Sequence, residues 1–438
     1  MQQVIRKLRN SHIARIHAIA LGTAILVWSI YGEWTGLYGL HFIGYDYTFF
    51  YYAFQTVIHH GTVAELYDIH AQHAFLKSYG YPVIRYDQYV YPPQFAVLFS
   101  FLGWLPFRVS MWTWISANVL AYGLGVFFTT RVIFSKVTPE GGLLIGFVVL
   151  IMTPFHIDAG VGNVNSLIFC MISLSFYLMY RANRPLWAGV PIAVAIICKV
   201  TPIAILVLFV LRRRWKPNLS AIGTLVLVSL ISVSVFGFDT ITVYLHRFLS
   251  FGHTSMKNGP APYNQSLIGV LEMFVSHHAL TLSTRLQYDC FFAVSLIIGL
   301  LVLVISRKKD LSPAVEFSLA SFIPLIFSPL VEQMHLMLAI PAILSVIQAA
   351  MTFFKNKNVK PGVLLFGVGV VAIVLLSLPA TFALNEVVRR FPSLYFVHTQ
   401  MWLAMAILVP AVLWLGMRRG DETTRFGLRF LPGESVRN

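Results

Sequence analysis

One carboxylate stands alone in a run of rings. In HFIGYDYTFFYYAF, residues 41–54, Asp46 is the sole acid among tyrosines and phenylalanines. An ionised carboxylate there loses hydration unless something compensates it. Two readings stay open. Asp46 caps the helix that follows, with Thr48 nearby, because helix N-termini favour acids. Or it is a general base whose pKa a partly dry aromatic pocket moves towards neutrality, able to take a proton from a hydroxyl. Trp34, Tyr45 and, further along in YVYPPQFAVLF, Tyr91 suit stacking on a sugar and offer phenols for hydrogen bonds.

Other polar residues break apolar runs. Lys199 in ICKVTPIA is costly in such a place unless it faces a cavity or a partner. It either snorkels to the nearer surface or neutralises a phosphate as a point charge. Glu332 and His335 in SPLVEQMHLML share one helix face. They close a helix end as a hydrogen-bonded pair, or His335 contacts a phosphate while supporting Glu332 orients the ring. A single Glu-x-x-His is a weak metal signal, and neither metal nor other cofactor is expected. GVGNVNSL sets Asn163 and Asn165 at a helix start, with amides suited to hydroxyls and glycines that allow close approach. Asn264 and Gln265 in NQSL either line a polar site or belong to a glycosylation acceptor pattern. Arg85 and Asp87, just before the YPP turn, read as an ion pair, with Arg85 in a supporting role. The chain has no Walker motif, no nucleotide fingerprint and no Asp-x-Asp pair.

The elements that position these groups follow from composition. The chain has 438 residues, of which 57% are hydrophobic and 11% charged, against about 25% charged in soluble domains. Lipid must therefore be the solvent over most of the length, and the fold is an all-α polytopic helical bundle. The net charge of +15 is not a nucleic-acid signal. It sits in short clusters between apolar runs, RKLRN, LRRRWK (211–216), SRKKD (306–310), KNKNVK (355–360) and MRRG (417–420), the positive-inside pattern. Cys170, Cys198 and Cys290 have no paired spacing and read as small core residues.

Apolar runs at 13–32, 110–134, 139–155, 163–180, 185–198, 200–212, 218–237, 288–306, 312–330, 336–354, 361–383 and 398–417 give about twelve crossings in one membrane domain, 1–438. The first reads as a signal anchor. Segment 93–107 is expected to dip in without crossing, because the basic loops then fall on the cytoplasmic side, with Arg389 and Arg390 as exceptions. Two large outer loops result, 33–107 with this re-entrant helix and 238–287. Long loops usually carry function. Within the first, VAELYDIHAQHAFLKSYGY has helical spacing at Leu66, Ile69, His73 and Leu76 and reads as an amphipathic helix on the membrane surface. Asp46, the YPP turn, GNVN, Lys199, NQSL and His335 all come out on the non-cytoplasmic side, where they can converge on one site.

Taken in order, YDYTFFYYA, ELYD, YPPQFAVLFSFLGWLPF, GNVNSLIF, KVTPIAILVLFVLRRRW, NQSLIGVL and SPLVEQMHLMLAIPA resemble glycosyltransferase family 87, polyprenol-phosphate-mannose-dependent mannosyltransferases of the GT-C fold. The resemblance covers roughly residues 13–350. It implies a polyprenyl-phosphate sugar donor, a glycolipid or glycan acceptor and a multi-pass place in the inner membrane. It also implies a metal-free reaction, with Asp46 as the first-loop catalytic acid residue and Lys199 as the lysine of a Lys-x-x-Pro segment. Asn163 stands where the family often has glutamine. His335 fills the second position of a His-His pair whose first position is Met334 here. One carboxylate serves a direct, inverting displacement, with Lys199 and His335 on the leaving phosphate; a retaining scheme needs a second nearby acid. The rival reading, a lipid or sugar transporter, calls for internal symmetry, and the sequence shows no repeat.

Overall fold

The computed structural model describes residues 30–84, 87–247, 264–378 and 398–418, together with 23, 24, 27 and 395. Most of the expected first span, 13–32, therefore lies outside the described residues, as do Arg85, Arg389, Arg390 and part of the 238–287 loop. Among the described residues every regular element is helical.

The helices in chain order are α1 (30–39), α2 (Tyr45–Ile58), α3 (Ile69–Ser78), α4 (Pro93–Phe99), α5 (Phe107–Ile133), α6 (Pro139–Leu150), α7 (Thr153–Val161), α8 (Asn165–Tyr180) and α9 (Gly189–Cys198). They continue with α10 (Ala204–Leu211), α11 (Trp215–Phe236), α12 (239–247), α13 (Leu267–Ser276), α14 (Thr284–Ser306), α15 (Pro313–Ile326), α16 (Ile340–Lys355), α17 (Val359–Leu376) and α18 (Gln400–Met417). Among the described residues six spans, the one through α16 beginning at Gln333, are long and apolar enough to cross a membrane, or seven if α6 and α7 make one broken span. The remaining apolar helices, such as α8, α9 and α15, are shorter. The protein is thus a multi-pass membrane protein.

Apolar surface is turned outwards as well as inwards. On α11, Ile222, Leu227 and Leu230 are exposed at 51, 60 and 63%, as lipid-facing side chains must be when the solvent is hydrocarbon. The bundle interior is built where α5 packs on α8, α9 on α11, and α16 on both α15 and α17. Phe176 of α8 stacks on Phe317 of α15 with ring centroids 4.6 Å apart. At the end bearing the LRRRWK cluster, buried Glu316 holds Arg212 at 2.9 Å and Arg214 at 3.5 Å.

Three irregular breaks position the site. The chain bends by 60° between α6 and α7, so the run expected as a plain span over 139–155 is instead broken and extends to Val161. Lys199, in extended backbone, ends α9 before a 3-10 turn, Thr201–Ile203, opens the next helix. A second 3-10 segment, Gln333–Ala339, leads into α16 and packs against α7. Irregular backbone inside a membrane protein is tolerated where it lines a cavity or is buried in protein.

The segment expected as the first outer loop is a folded body. The stretch expected as a single amphipathic helix is two, a turn at Val63–Leu66 and then α3, because Asp68 caps the second by accepting from the N–H groups of His70 and Ala71. Gln72 ties the loop shut: its Nε2 donates to Leu66 O at 2.9 Å and its Oε1 accepts from Tyr89 N at 2.7 Å. The 93–104 segment is α4 followed by a 3-10 turn, a short apolar piece packed under α2.

Candidate active site

Asp46 lies in the first turn of α2, after Gly44, which is the N-cap and has φ 73°. It does not cap that helix with its side chain. Instead α2 is docked by its start: Gly44 N donates to Gly160 O at 2.8 Å, near the end of α7. That contact carries Asp46 to the GVGN turn. Gly162 there has φ 72°, and a Cβ on it would lie 2.8 Å from Tyr47 Cβ, so the two segments touch backbone to side chain. Trp114 of α5 fixes the turn from behind, its indole N–H donating to Gly162 O at 2.9 Å.

The result is a direct contact across the chain. Asn163 Nδ2 donates to Asp46 Oδ2 at 2.5 Å. The amide is oriented by its other end, since Asn163 Oδ1 accepts from Val164 N (2.7 Å), Asn165 Nδ2 (3.0 Å) and Tyr91 Oη (3.2 Å). With its oxygen so occupied, the amide can present only N–H groups to Asp46.

The carboxyl of Asp46 is pushed up to about 8. Removal from water is the main cause and the charge of Glu332 adds to it, while the Asn163 hydrogen bond and Lys199 act in the opposite sense. A carboxyl so raised is matched to general-base work near neutral pH. Tyr45, one residue before, donates from its hydroxyl to Asp87 Oδ2 at 3.0 Å. Asp87 is itself pushed up to about 6, chiefly by burial. Phe42, Phe49 and Tyr81 set their rings edge-on to Tyr45.

Lys199 and His335 meet directly, Lys199 Nζ lying against His335 Nε2. The ring's other nitrogen, Nδ1, accepts from Glu332 N at 3.1 Å, so a neutral ring carries its proton on Nε2. Glu332 Oε2 is 3.3 Å from that nitrogen. Two nitrogens able to donate thus lie side by side next to Glu332, and an oxyanion placed between them would accept from both. Burial lowers the pKa of Lys199, while the charges of Glu332, Asp46 and Asp158 act to keep it protonated. Met334, at the position beside His335, packs with Leu37, Ile157 and Val161 and is apolar in its surroundings.

The sequence candidates thus divide. Asp46, Tyr45, Tyr91, Asn163, Asn165, Lys199, Glu332 and His335 come together. Asn264 and Gln265 are spent elsewhere. Asn264 Nδ2 donates to Pro329 O (3.1 Å) and its Oδ1 accepts from Val331 N (3.0 Å). Gln265 Nε2 donates to His398 O (2.7 Å) and its Oε1 accepts from Trp402 N (3.0 Å). Asn264 thereby clamps the loop that precedes Glu332, which Gln265 meets through its backbone N–H, donating to Val331 O. Arg85 lies outside the described residues; Asp87, expected to pair with it, has Tyr45 as its partner. Sequence reasoning missed Asp158. This buried acid on α7 accepts from Asn165 N, Asn165 Nδ2, Ser166 N and Ser166 Oγ at 2.6–3.0 Å. An acid inside the apolar run TPFHIDAG was the available signal. Among the described residues no cluster of three or more histidines, cysteines or acids could hold a metal.

No curated protein matches the chain. The model of glycosyltransferase family 87 matches residues 89–329, more than half of the chain. Tyr91, Asp158, Asn163, Asn165 and Lys199 fall within that match, whereas Asp46, Glu332 and His335 lie outside it and are joined to it by the contacts above. An all-helical, multi-pass protein with this matched core belongs to glycosyltransferase family 87.

Proposed function

We propose that this glycosyltransferase moves a sugar, mannose by the family resemblance, from a polyprenyl-phosphate donor to a hydroxyl of a glycolipid or glycan. The reaction takes place on the non-cytoplasmic face of the inner membrane, in a GT-C bundle of about twelve crossings in which 93–107 is re-entrant. The carrying observation is that the raised carboxyl of Asp46 lies within electrostatic reach of Lys199, which itself meets His335, where the bent α6–α7 pair, the end of α9 and the 3-10 segment before α16 interrupt regular helix. Family membership favours this over transport of a lipid or sugar.

In the proposed reaction the acceptor oxygen attacks the anomeric carbon while its proton passes to Asp46. The bond from that carbon to the phosphate oxygen breaks, and polyprenyl phosphate leaves carrying the electron pair. Its new charge is met by Lys199 and His335 without a metal. Tyr45, Tyr91 and Asn163 are the groups nearest to hand for sugar or acceptor hydroxyls, and Asn165 stands behind Asn163. A single displacement inverts the anomeric centre.

The test is incubation of the purified protein in liposomes with labelled polyprenyl-phosphate mannose, polyprenyl-phosphate glucose and the corresponding nucleotide sugars. Transfer is expected only from a lipid donor, with an inverted linkage, and Asp46→Asn should abolish it while protein level and donor binding persist. Transfer from a nucleotide sugar, or full activity in Asp46→Asn, refutes the proposal.

A further inference from the structure

We infer that Asp158 is a positioning residue for transfer, acting through Asn165 and then Asn163 to aim an N–H at Asp46. The inference rests on the reading of Asp46 as the base. Asp158 is fully buried, touches neither Asp46 nor Lys199 directly among its hydrogen bonds, and uses both oxygens. Oδ1 takes the backbone and side-chain N–H groups of Asn165 (both 3.0 Å), and Oδ2 takes the backbone N–H (2.9 Å) and hydroxyl (2.6 Å) of Ser166.

A buried carboxylate at a helix start is commonly explained by capping alone. Two details go further. Asn165 Nδ2 is shared between Asp158 Oδ1 and Asn163 Oδ1, each at 3.0 Å. The Asp158 carboxylate therefore fixes which end of Asn165 faces Asn163. Asn163 in turn accepts on its oxygen and donates to Asp46. The chain of four residues has one consistent assignment of donors and acceptors, and it starts from the sole member that only accepts and is wholly buried. Moreover, α7 supplies both Asp158 and the Gly160 carbonyl that docks α2, so one helix holds the base and its orienting network in a common frame.

The test is the pH dependence of kcat/KM. Groups that bear on Asp46 are Glu332 on the segment before α16, Asp87 and Tyr91 in the outer loop, Tyr45 beside it and Lys199 after α9; the Asp158 charge bears in turn on Lys199 and Tyr91, and Asn165→Ala, which keeps that charge, controls for this route. Asp158→Asn keeps the shape but sets an N–H against an existing donor. If it releases Asn163, Asp46 loses a donor, and the midpoint of the profile rises by about one unit or more. Removal of the Asp158 charge alone acts in the other direction, favouring ionised Asp46 and lowering the midpoint. The sign therefore separates the two. Asn165→Ala should give the same upward shift in smaller measure. Ser166→Ala should lower thermal stability and leave the midpoint in place.

A midpoint that stays or falls in folded Asp158→Asn overturns the inference. Should that variant not fold, Asn165→Ala decides, and an unmoved midpoint there overturns it. An equal shift in Ser166→Ala assigns the effect to a loosened helix start and also overturns it. Asp46→Asn is run alongside: if it transfers sugar normally, the base reading fails. If it is inactive while the Asp158→Asn midpoint is unmoved, only the positioning inference fails.

Discussion

Replacing Asn163 by leucine isolates the hydrogen bond that, in the proposed mechanism, keeps Asp46 usable as a base. Leucine has similar bulk and no donor, and it keeps water from taking the amide's place, which alanine would not. The bond lost is a 2.5 Å contact from Asn163 Nδ2 to Asp46 Oδ2. Hydrogen bonds to charged groups contribute about 1.5–3 kcal/mol, and one pKa unit corresponds to about 1.4 kcal/mol. The carboxyl, already near 8, should therefore rise by about one to two units. At pH 7 the ionised share falls from about a tenth to roughly a hundredth or a thousandth. The kcat/KM at that pH should fall by about 10–100-fold, and much of the loss should be recovered on the alkaline side. The sign follows from the direction of the shift: a base with a raised pKa is inactive below it and gains activity as pH climbs through it. The assay is initial rate of transfer from labelled lipid donor in liposomes over roughly pH 6 to 9.5. A loss by the same factor at every pH would mean that Asn163 only shapes the pocket, and an unchanged profile would remove it from the mechanism altogether.

Lys199→Met removes one of the two converging donors, so the affinity for polyprenyl phosphate should weaken by about 10–100-fold; competition binding in detergent reads this, and an unaltered Kd contradicts a phosphate role. Glu316→Gln leaves Arg212 and Arg214 without their buried carboxylate and should cost about 3–5 kcal/mol of stability. A lower melting temperature with an unmoved pH midpoint is the expected pairing, and a moved midpoint would connect that distant cluster to the site. Gly162→Ala forces a side chain into left-handed backbone and against Tyr47. The backbone conformation alone costs about 1–2 kcal/mol, and a shift of about 1 Å in Asn163 lowers transfer by up to roughly 100-fold. Wild-type turnover in a folded Gly162→Ala would show that the turn tolerates the crowding.

The sequence by itself determined the solvent and hence the class of fold. A chain with so few charges and with basic clusters between apolar runs is confined to helices in a membrane, because hydrocarbon leaves backbone groups no other partner. It also exposed Asp46, Lys199 and His335, since an ionisable residue in an apolar run is legible without neighbours. Helix boundaries came close where the run was uninterrupted, as in α5 and α11, and were least legible at the bend between α6 and α7. There Pro154, in the first turn of α7, cannot continue the hydrogen bonding of α6, and packing against the 3-10 segment accompanies the 60° turn.

Only the tertiary structure decided what each amide does. Asn163, Asn165, Asn264 and Gln265 look alike in sequence, as polar residues beside helix starts. The first two join the network at Asp46, while Asn264 holds the loop before Glu332 and Gln265 ties its segment to the start of α18. An amide both donates and accepts, so its role is set by partners that lie, for Asp46 and Asn163, 117 residues apart. Asp158 was visible as an acid in an apolar run, but its role was not: four donors converge on it, and convergence is a property of docked segments, not of the residue type.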